Sequence, residues 1–368
     1  MARSQLRIAH FDALQPVCLN CRSEVHSSRL RIASVDSQVG SQIVQGVLQC
    51  TDLNCQSEYP IIDGVPIILP RLREFIADSI FSICGRNDLS AVTESILGDC
   101  CSQGSAFDSL RQHLSCYMWD HYSDLDPAEE SNKPLSSTYQ SGSVVRVLEQ
   151  GFALDSPLDT STPSQVVCML DIGCGPGRTS LRMAEHWGGM VLGVDVNFSM
   201  LKIASEMLRT HCVRYPRRRT GLVYDRREFS VDLPSMGQVD YWACDALSLP
   251  FSGGSFDRCV AMNVLDAVSS PVALLDSISK LLSARGRAIL ACPYDWTATV
   301  TPVESWLGGH SQRGAEHGEC SPMLKRLLEA ESSKLKLVAE LDGIDWNIRM
   351  HDRSSMQYRV HLICAERM

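Results

Sequence analysis

The chain has 368 residues, 44% of them hydrophobic and 21% charged, an ordinary globular composition with enough apolar material for a substantial core. Its 34 Lys and Arg against 43 Asp and Glu give a formal charge of −9, which argues against a protein that grips nucleic acid over a wide surface. No apolar run approaches the roughly 20 residues of a membrane helix, and Met1–Arg7 leads into no apolar signal core, so a soluble, cytoplasmic protein without membrane contact is expected.

At about 150 residues per domain, this length points to two domains or one large domain with an extension. Residues 1–70 read as a small module. The pairs Cys18-Leu19-Asn20-Cys21 and Cys50-Thr51-Asp52-Leu53-Asn54-Cys55 flank a roughly alternating stretch, Leu30–Val39. Four thiolates at this spacing suit one tetrahedral structural zinc, and a catalytic zinc would keep a position open. Asp63-Gly64 between two β-branched runs predicts a hairpin. The remaining cysteines, such as Cys168, Cys244, Cys259, Cys292 and Cys364, stand singly in apolar settings and read as small core residues rather than a disulfide framework.

Residues 71–141 read as a helical connector, with Ile76, Ile80 and Ile83 on one face, followed by a polar linker over 126–141. Residues 142–368 form the second domain. Strands are expected at 166–170, 191–194, 241–244, 259–262 and 288–292. Helices are expected at 178–187, 199–210 and 271–283, with closing strands at 335–341 and 358–365. Strands alternating with helices imply an α/β parallel sheet covered on both faces. An Arg-rich loop, 214–227, interrupts this rhythm as a solvated insertion or an anion or nucleic-acid contact.

The strongest signal is Asp171-Ile172-Gly173-Cys174-Gly175-Pro176-Gly177, after a strand and before a helix. The glycines let the backbone turn sharply and let a ligand lie against it. Asp195 ends the next strand, where a carboxylate can hold both ribose hydroxyls. Asp245-Ala246 ends the third, within reach of an adenine amino group. Together with Ser255–Leu265, which contains Asn263, these segments resemble the class I S-adenosylmethionine-dependent methyltransferases. The resemblance covers about residues 165–295. It implies a Rossmann-like, seven-stranded sheet with the cofactor at Asp171, Gly173, Gly175, Gly177, Asp195, Asp245, Ala246 and Asn263.

Further segments are similar to the methyltransferase domain of ovothiol biosynthesis, which methylates a mercaptohistidine ring nitrogen. They are Tyr117–Tyr122 with its His121-Tyr122, Pro293-Tyr294-Asp295-Trp296, Thr301–Gly309 with Trp306, and Trp346–Arg353 with Arg349 and Arg353, followed by Gln357-Tyr358. The resemblance implies N-methyl transfer to a small histidine-like or thiohistidine-like acceptor. Tyr294, with Asp266 and His121 behind it, would fix the acceptor's tautomer. Tyr122, Trp296 and Trp306 would wall the pocket, and Arg349 or Arg353 would fork an acceptor carboxylate. This chain departs from that family in carrying the cysteine module where a sulfoxide synthase often stands. The module, with Tyr59–Pro66, is similar to the zinc-ribbon activator of tRNA and protein methyltransferases. That likeness keeps open a second reading, an RNA or protein methyltransferase whose ribbon contacts the substrate.

Overall fold

The computed structural model describes residues 6–23, 27–40, 42–131, 141–155, 168–331 and 333–368. Helix α1 (Leu6–Leu14) precedes an antiparallel meander of β1 (Leu30–Val39), β2 (Gln42–Cys50), β3 (Glu58–Ile62) and β4 (Val65–Ile68). The hairpin expected at Asp63-Gly64 joins β3 to β4. Both residues have positive φ, 52° and 81°, as a tight two-residue hairpin turn requires.

Helices α2 (Leu72–Cys84), α3 (Ala91–Cys100), α4 (Ala106–Tyr122), α5 (Pro127–Ser131) and α6 (Ser143–Leu154) follow. Ile83 is buried and Ile76 half-buried, but Ile80, expected on the same face, is 49% exposed. The start of the expected linker is the short helix α5, and residues 132–140 lie outside the described residues. So do Val166 and Val167 of the expected first strand.

The rest alternates as the sequence predicts. It runs β5 (Cys168–Ile172), α7 (Arg178–Trp187), β6 (Met190–Asp195), α8 (Phe198–Thr210), then a hairpin of β7 (Cys212–Thr220) and β8 (Val223–Ser230). After it come β9 (Val239–Cys244), β10 (Phe256–Met262), α9 (Pro271–Leu281), β11 (Leu282–Cys292), α10 (Cys320–Glu329), β12 (Leu335–His351) and β13 (Ser354–Arg367).

The sheet order is β1-β2-β3-β4-β9-β6-β5-β10-β11-β13-β12. The expected seven strands are present from β9 to β12, but the sheet has eleven. β4 pairs in parallel with β9 at Ile67–Ala243 and Ile68–Cys244, so the N-terminal meander extends the parallel sheet. Burying both faces makes this join favourable, since Val65, Ile67 and Ile68 are fully enclosed. β13 runs antiparallel between β11 and β12. One core layer gathers Leu14, Cys18 and Tyr59 with Trp242 and the α9 leucines, and the other packs α4, α6, α7 and α8.

The Arg-rich segment is a β-hairpin rather than a loop. Val213 and Tyr215 alternate inward along β7, and Gly221 turns the chain at φ 50°. Its guanidiniums meet acids: Arg214 pairs with Glu228, Arg217 with Glu129 and Asp352, Arg226 with Glu94, and Arg227 with Asp126.

Candidate active site

A cavity of about 600 Å³ opens at the carboxyl ends of β5, β6, β9 and β10, the usual ligand position in such sheets. Gly173, Gly175, Asp195, Asp245, Ala246 and Asn263 line one end. The Gly175 N–H donates to Asp195 Oδ2 at 2.8 Å and the Asn197 N–H to Oδ1 at 2.8 Å, which orients this carboxylate beside the turn. Burial pushes Asp195 above the usual carboxylate range. Asp245 Oδ1 accepts from the Leu247 N–H at 2.9 Å, bending the loop after β9. The Asn263 Oδ1 is buried without a partner at the cavity wall, an acceptor placed for a ligand donor.

Two of the expected cofactor residues lie beneath this floor. Asp171 turns under the start of α7, where the Thr179 and Ser180 hydroxyls donate to its Oδ2 at 2.5 and 2.6 Å, and burial pushes it up to about 7. Gly177 accepts from the Tyr241 hydroxyl at 2.8 Å. A Cβ on Gly177 would meet that hydroxyl at 2.2 Å, and its φ of 88° already demands glycine. Tyr122 works alongside it. Expected in the acceptor wall, its buried hydroxyl instead donates to the Pro176 carbonyl at 2.7 Å. Two tyrosine hydroxyls therefore brace the glycine turn from outside the cavity.

The other end is built by α4, the loop after β10, the loop after β11, and the β12–β13 ribbon. His113, Tyr117, Asp120 and His121 stand at i, i+4, i+7 and i+8 along α4 and form one stripe on the cavity side. His121 Nδ1 accepts the Arg178 N–H at 3.3 Å, so Nε2 carries the ring proton, next to Gly175. Burial, then the Arg178 cation, pushes His121 down to about 3, leaving it neutral. Asp120 is also buried, which pushes it up to about 7 although it accepts from the Val144 N–H. Asp266 accepts from the Asp295 N–H at 2.7 Å and is likewise raised by burial, while Asp295 accepts from the Tyr358 hydroxyl at 2.9 Å. Trp346, which pairs with Tyr358 across the ribbon, closes this end. Among the described residues, no Lys or Arg lines the cavity.

Of the residues expected to serve the acceptor, Asp266 and His121 line the cavity, whereas Tyr294, Trp296, Trp306, Arg349 and Arg353 do not. The Tyr294 hydroxyl is 2.7 Å from His361 Nδ1, and His361 Nε2 is 3.2 Å from Glu340. Trp296 and Trp306 stack on each other at 6.0 Å, and their N–H groups go to Cys320 Sγ and the Thr301 carbonyl. Arg349 is buried and donates to the Arg218 carbonyl at 2.6 Å and to Asp352 at 2.5 Å, tying β12 to the arginine hairpin. Arg353 is exposed in the turn after β12. Sequence reasoning named the segments holding Tyr117, Asp120, Asp295, Trp346 and Tyr358 but nominated none of them. The i, i+3, i+4 spacing along α4 was the available signal.

At the far side of β9, the sulfurs of Cys18, Cys21, Cys50 and Cys55 lie within 4.8 Å of one another. Cys18–Cys55 and Cys21–Cys50 are 3.7 and 3.6 Å apart. A tetrahedral zinc with about 2.3 Å bonds would set sulfurs about 3.8 Å apart, so this donor set fits the ion. Burial raises the Cys18 thiol, but hydrogen bonds to the Tyr59 hydroxyl and to backbone amides outweigh it and bring it to about 7. No helix among the described residues is long and apolar enough to cross a membrane.

Residues 170–290 match the family model described as a methyltransferase domain. The chain is similar to the O-methyltransferase cnsE of Penicillium expansum, 25% identical over 130 residues that make up 35% of this chain and 39% of that protein. It is similar to the methyltransferase GfsG of Streptomyces halstedii, 24% identical over 252 residues, 62% of this chain and 76% of that one. Among solved structures it is similar to phosphoethanolamine N-methyltransferase 2 of Haemonchus contortus in complex with S-adenosyl-L-methionine, with 23% identity, a TM-score of 0.29, and coverage of 39% of this chain and 28% of that one. The match thus spans well under half the length of the first relative and about three quarters of the second. The region that carries the glycine turn and the strand-end acids is a Rossmann-like S-adenosylmethionine-dependent methyltransferase domain.

Proposed function

We propose that the chain is an N-methyltransferase that moves the methyl of S-adenosylmethionine to a ring nitrogen of a small histidine-like or thiohistidine-like acceptor. The observation that carries this reading is the two-ended cavity, a turn-and-acid floor facing a wall of Asp120, His121, Asp266, Asp295 and Tyr358. Asp195 suits the ribose hydroxyls, Asp245-Ala246 the adenine edge, Asn263 a donor of the cofactor, and the glycine turn its methionine part. The cofactor supplies an electrophilic sulfonium methyl, and the protein's task is positioning and exclusion of water.

The acceptor's nitrogen lone pair forms the new N–C bond as the C–S bond breaks, and the ring proton then has to leave. A carboxylate that titrates near neutrality can take it, and burial puts Asp120 in that range. His121 stays neutral and offers its Nε2–H as a donor. Asp266 fixes the acceptor's tautomer in place of Tyr294, whose hydroxyl is taken by His361. With no Lys or Arg among the described residues of the wall, the acceptor is held by its nitrogen and hydrogen-bonding groups rather than by a guanidinium fork on a carboxylate. The arginine hairpin, with its cations spent on Glu94, Asp126, Glu129 and Glu228, lends no support to an RNA substrate. We also propose that the four clustered thiolates hold one structural zinc.

The test is a methyl-transfer screen with labelled cofactor against histidine, mercaptohistidines, tRNA, rRNA and a protein extract. The proposal expects label in an imidazole-bearing small molecule. Labelling of RNA or protein with no small-molecule turnover would overturn it.

A further inference from the structure

The cysteine cluster and the cofactor cavity share one loop. The first knuckle, Cys18–Cys21, is gripped at both ends by the segment that follows β9. Immediately before it, the Val17 N–H donates to the Pro250 carbonyl at 2.9 Å. Immediately after it, Arg22 Nη1 donates to the Leu249 carbonyl at 2.7 Å. The same segment begins with Asp245, Ala246 and Leu247, all at the cavity wall. It is short and internally braced: Asp245 accepts from the Leu247 and Ser248 N–H groups through its carboxylate and carbonyl. Packing reinforces the link. Leu249 and Phe251 share one core layer with Cys18, Cys50 and Tyr59, and Ala246, Leu247, Cys21 and Cys55 pack against that layer. Phe251 also lies 5.8 Å from Trp242, which in turn faces Phe11 of α1 at 6.4 Å.

We propose that metal at Cys18, Cys21, Cys50 and Cys55 and cofactor at the Asp245–Leu247 wall bind cooperatively, with Val17 and Arg22 as the positioning residues that join them. This coupling rests on the cofactor-site reading above and on the geometry of the two hydrogen bonds. A knuckle closed on a metal holds Val17 and Arg22 at a fixed separation, which fixes Leu249 and Pro250 and so the path of the loop back to Asp245. An open knuckle frees both ends, and cofactor binding must then order the loop itself. Thermodynamic linkage makes the effect mutual: cofactor binding raises metal affinity by the factor by which metal raises cofactor affinity.

The experiment titrates S-adenosylhomocysteine into zinc-loaded and chelator-stripped protein by calorimetry. It also measures zinc affinity against a chromophoric chelator with and without S-adenosylhomocysteine. The expected result is a Kd for S-adenosylhomocysteine about fivefold or more weaker in the stripped protein, and a matching gain in zinc affinity when it is bound. Because stripped protein can unfold, a second variant separates the effects. Arg22→Met leaves all four thiols and should keep its zinc, yet bind S-adenosylhomocysteine severalfold more weakly. Equal Kd values for Arg22→Met and wild type, or for folded stripped and loaded protein, would overturn the coupling. Failure of every form to bind S-adenosylhomocysteine would instead overturn the cofactor-site reading.

Discussion

The two ends of the cavity obey different rules. At the glycine-turn end, six of the residues nominated for the cofactor, Gly173, Gly175, Asp195, Asp245, Ala246 and Asn263, line the cavity, while Asp171 and Gly177 lie beneath it. At the acceptor end, Asp266 and His121 line the cavity, and four of the other nominated residues stand one position from a residue that does. Tyr122 is next to His121, Arg349 is next to Ile348, and Tyr294 and Trp296 flank Asp295, while His121, Ile348 and Asp295 line the cavity. Parallel-strand ends all meet at one edge of the sheet, so a residue just past such a strand reaches the crevice whatever its neighbours do. A residue on a helix or an extended segment reaches it only if its face is right. A one-residue error turns a side chain 100° around a helix or to the opposite side of a strand.

This contrast can be sharpened by substitutions, from large to small expected effect. Asp120→Asn should show the greatest change with pH. Burial raises Asp120 from 3.8 to about 7, so the folded wild type holds a proton there that the unfolded chain releases above about 4. Wild-type stability from this group therefore falls as pH rises from about 4 to about 7. Asn carries no such charge and keeps an acceptor for the Val144 N–H. The variant should gain relative stability across that window, by no more than about 4 kcal/mol, while losing turnover at all pH values. Urea unfolding at pH 4.5 and pH 8, set beside turnover rates, reads both. A pH-independent stability difference would place the proton elsewhere.

Gly177→Ala comes next. A left-handed φ and a 2.2 Å approach to the Tyr241 hydroxyl should cost about 2 kcal/mol or more. Denaturation should show that loss, and calorimetry should show weakened S-adenosylhomocysteine binding, because the braced turn cannot keep its path. Arg349→Lys tests the acceptor end from outside. It should lower stability by about 1 kcal/mol by loosening the tie to the Arg218 carbonyl and Asp352. The acceptor's KM should not move. A large KM increase would return Arg349 to the substrate. Arg353→Ala, at the exposed turn, should change stability by less than about 0.5 kcal/mol and leave kinetics unaltered.

Much of the fold was legible because its signals are local. The helix expected at 178–187 begins and ends where the structure has it, bounded by Gly177 and Gly188. The Asp63-Gly64 turn has the positive φ values that its composition predicts. Long-range pairing was not legible. Nothing local to Ile67-Ile68 says that they will sit against Ala243 and Cys244 and add four strands to the sheet. The arginine run shows the same limit, because three of its acids, Glu94, Asp126 and Glu129, come from about ninety or more residues away in the chain. The spacing of the two cysteine pairs pointed to the cysteine module, but not to its grip on the Leu249–Pro250 carbonyls.

The cofactor end is the part on which the whole account rests, and Asp195 is its clearest residue. Calorimetric titration of S-adenosylhomocysteine into wild type and Asp195→Ala tests it directly. The account predicts one site per chain in the wild type and a loss of about 1.5–3 kcal/mol in the variant, through the missing charged acceptor for the ribose hydroxyls. Identical affinity in the two proteins, with both folded, would contradict the placement of the cofactor along the ends of β5 and β6.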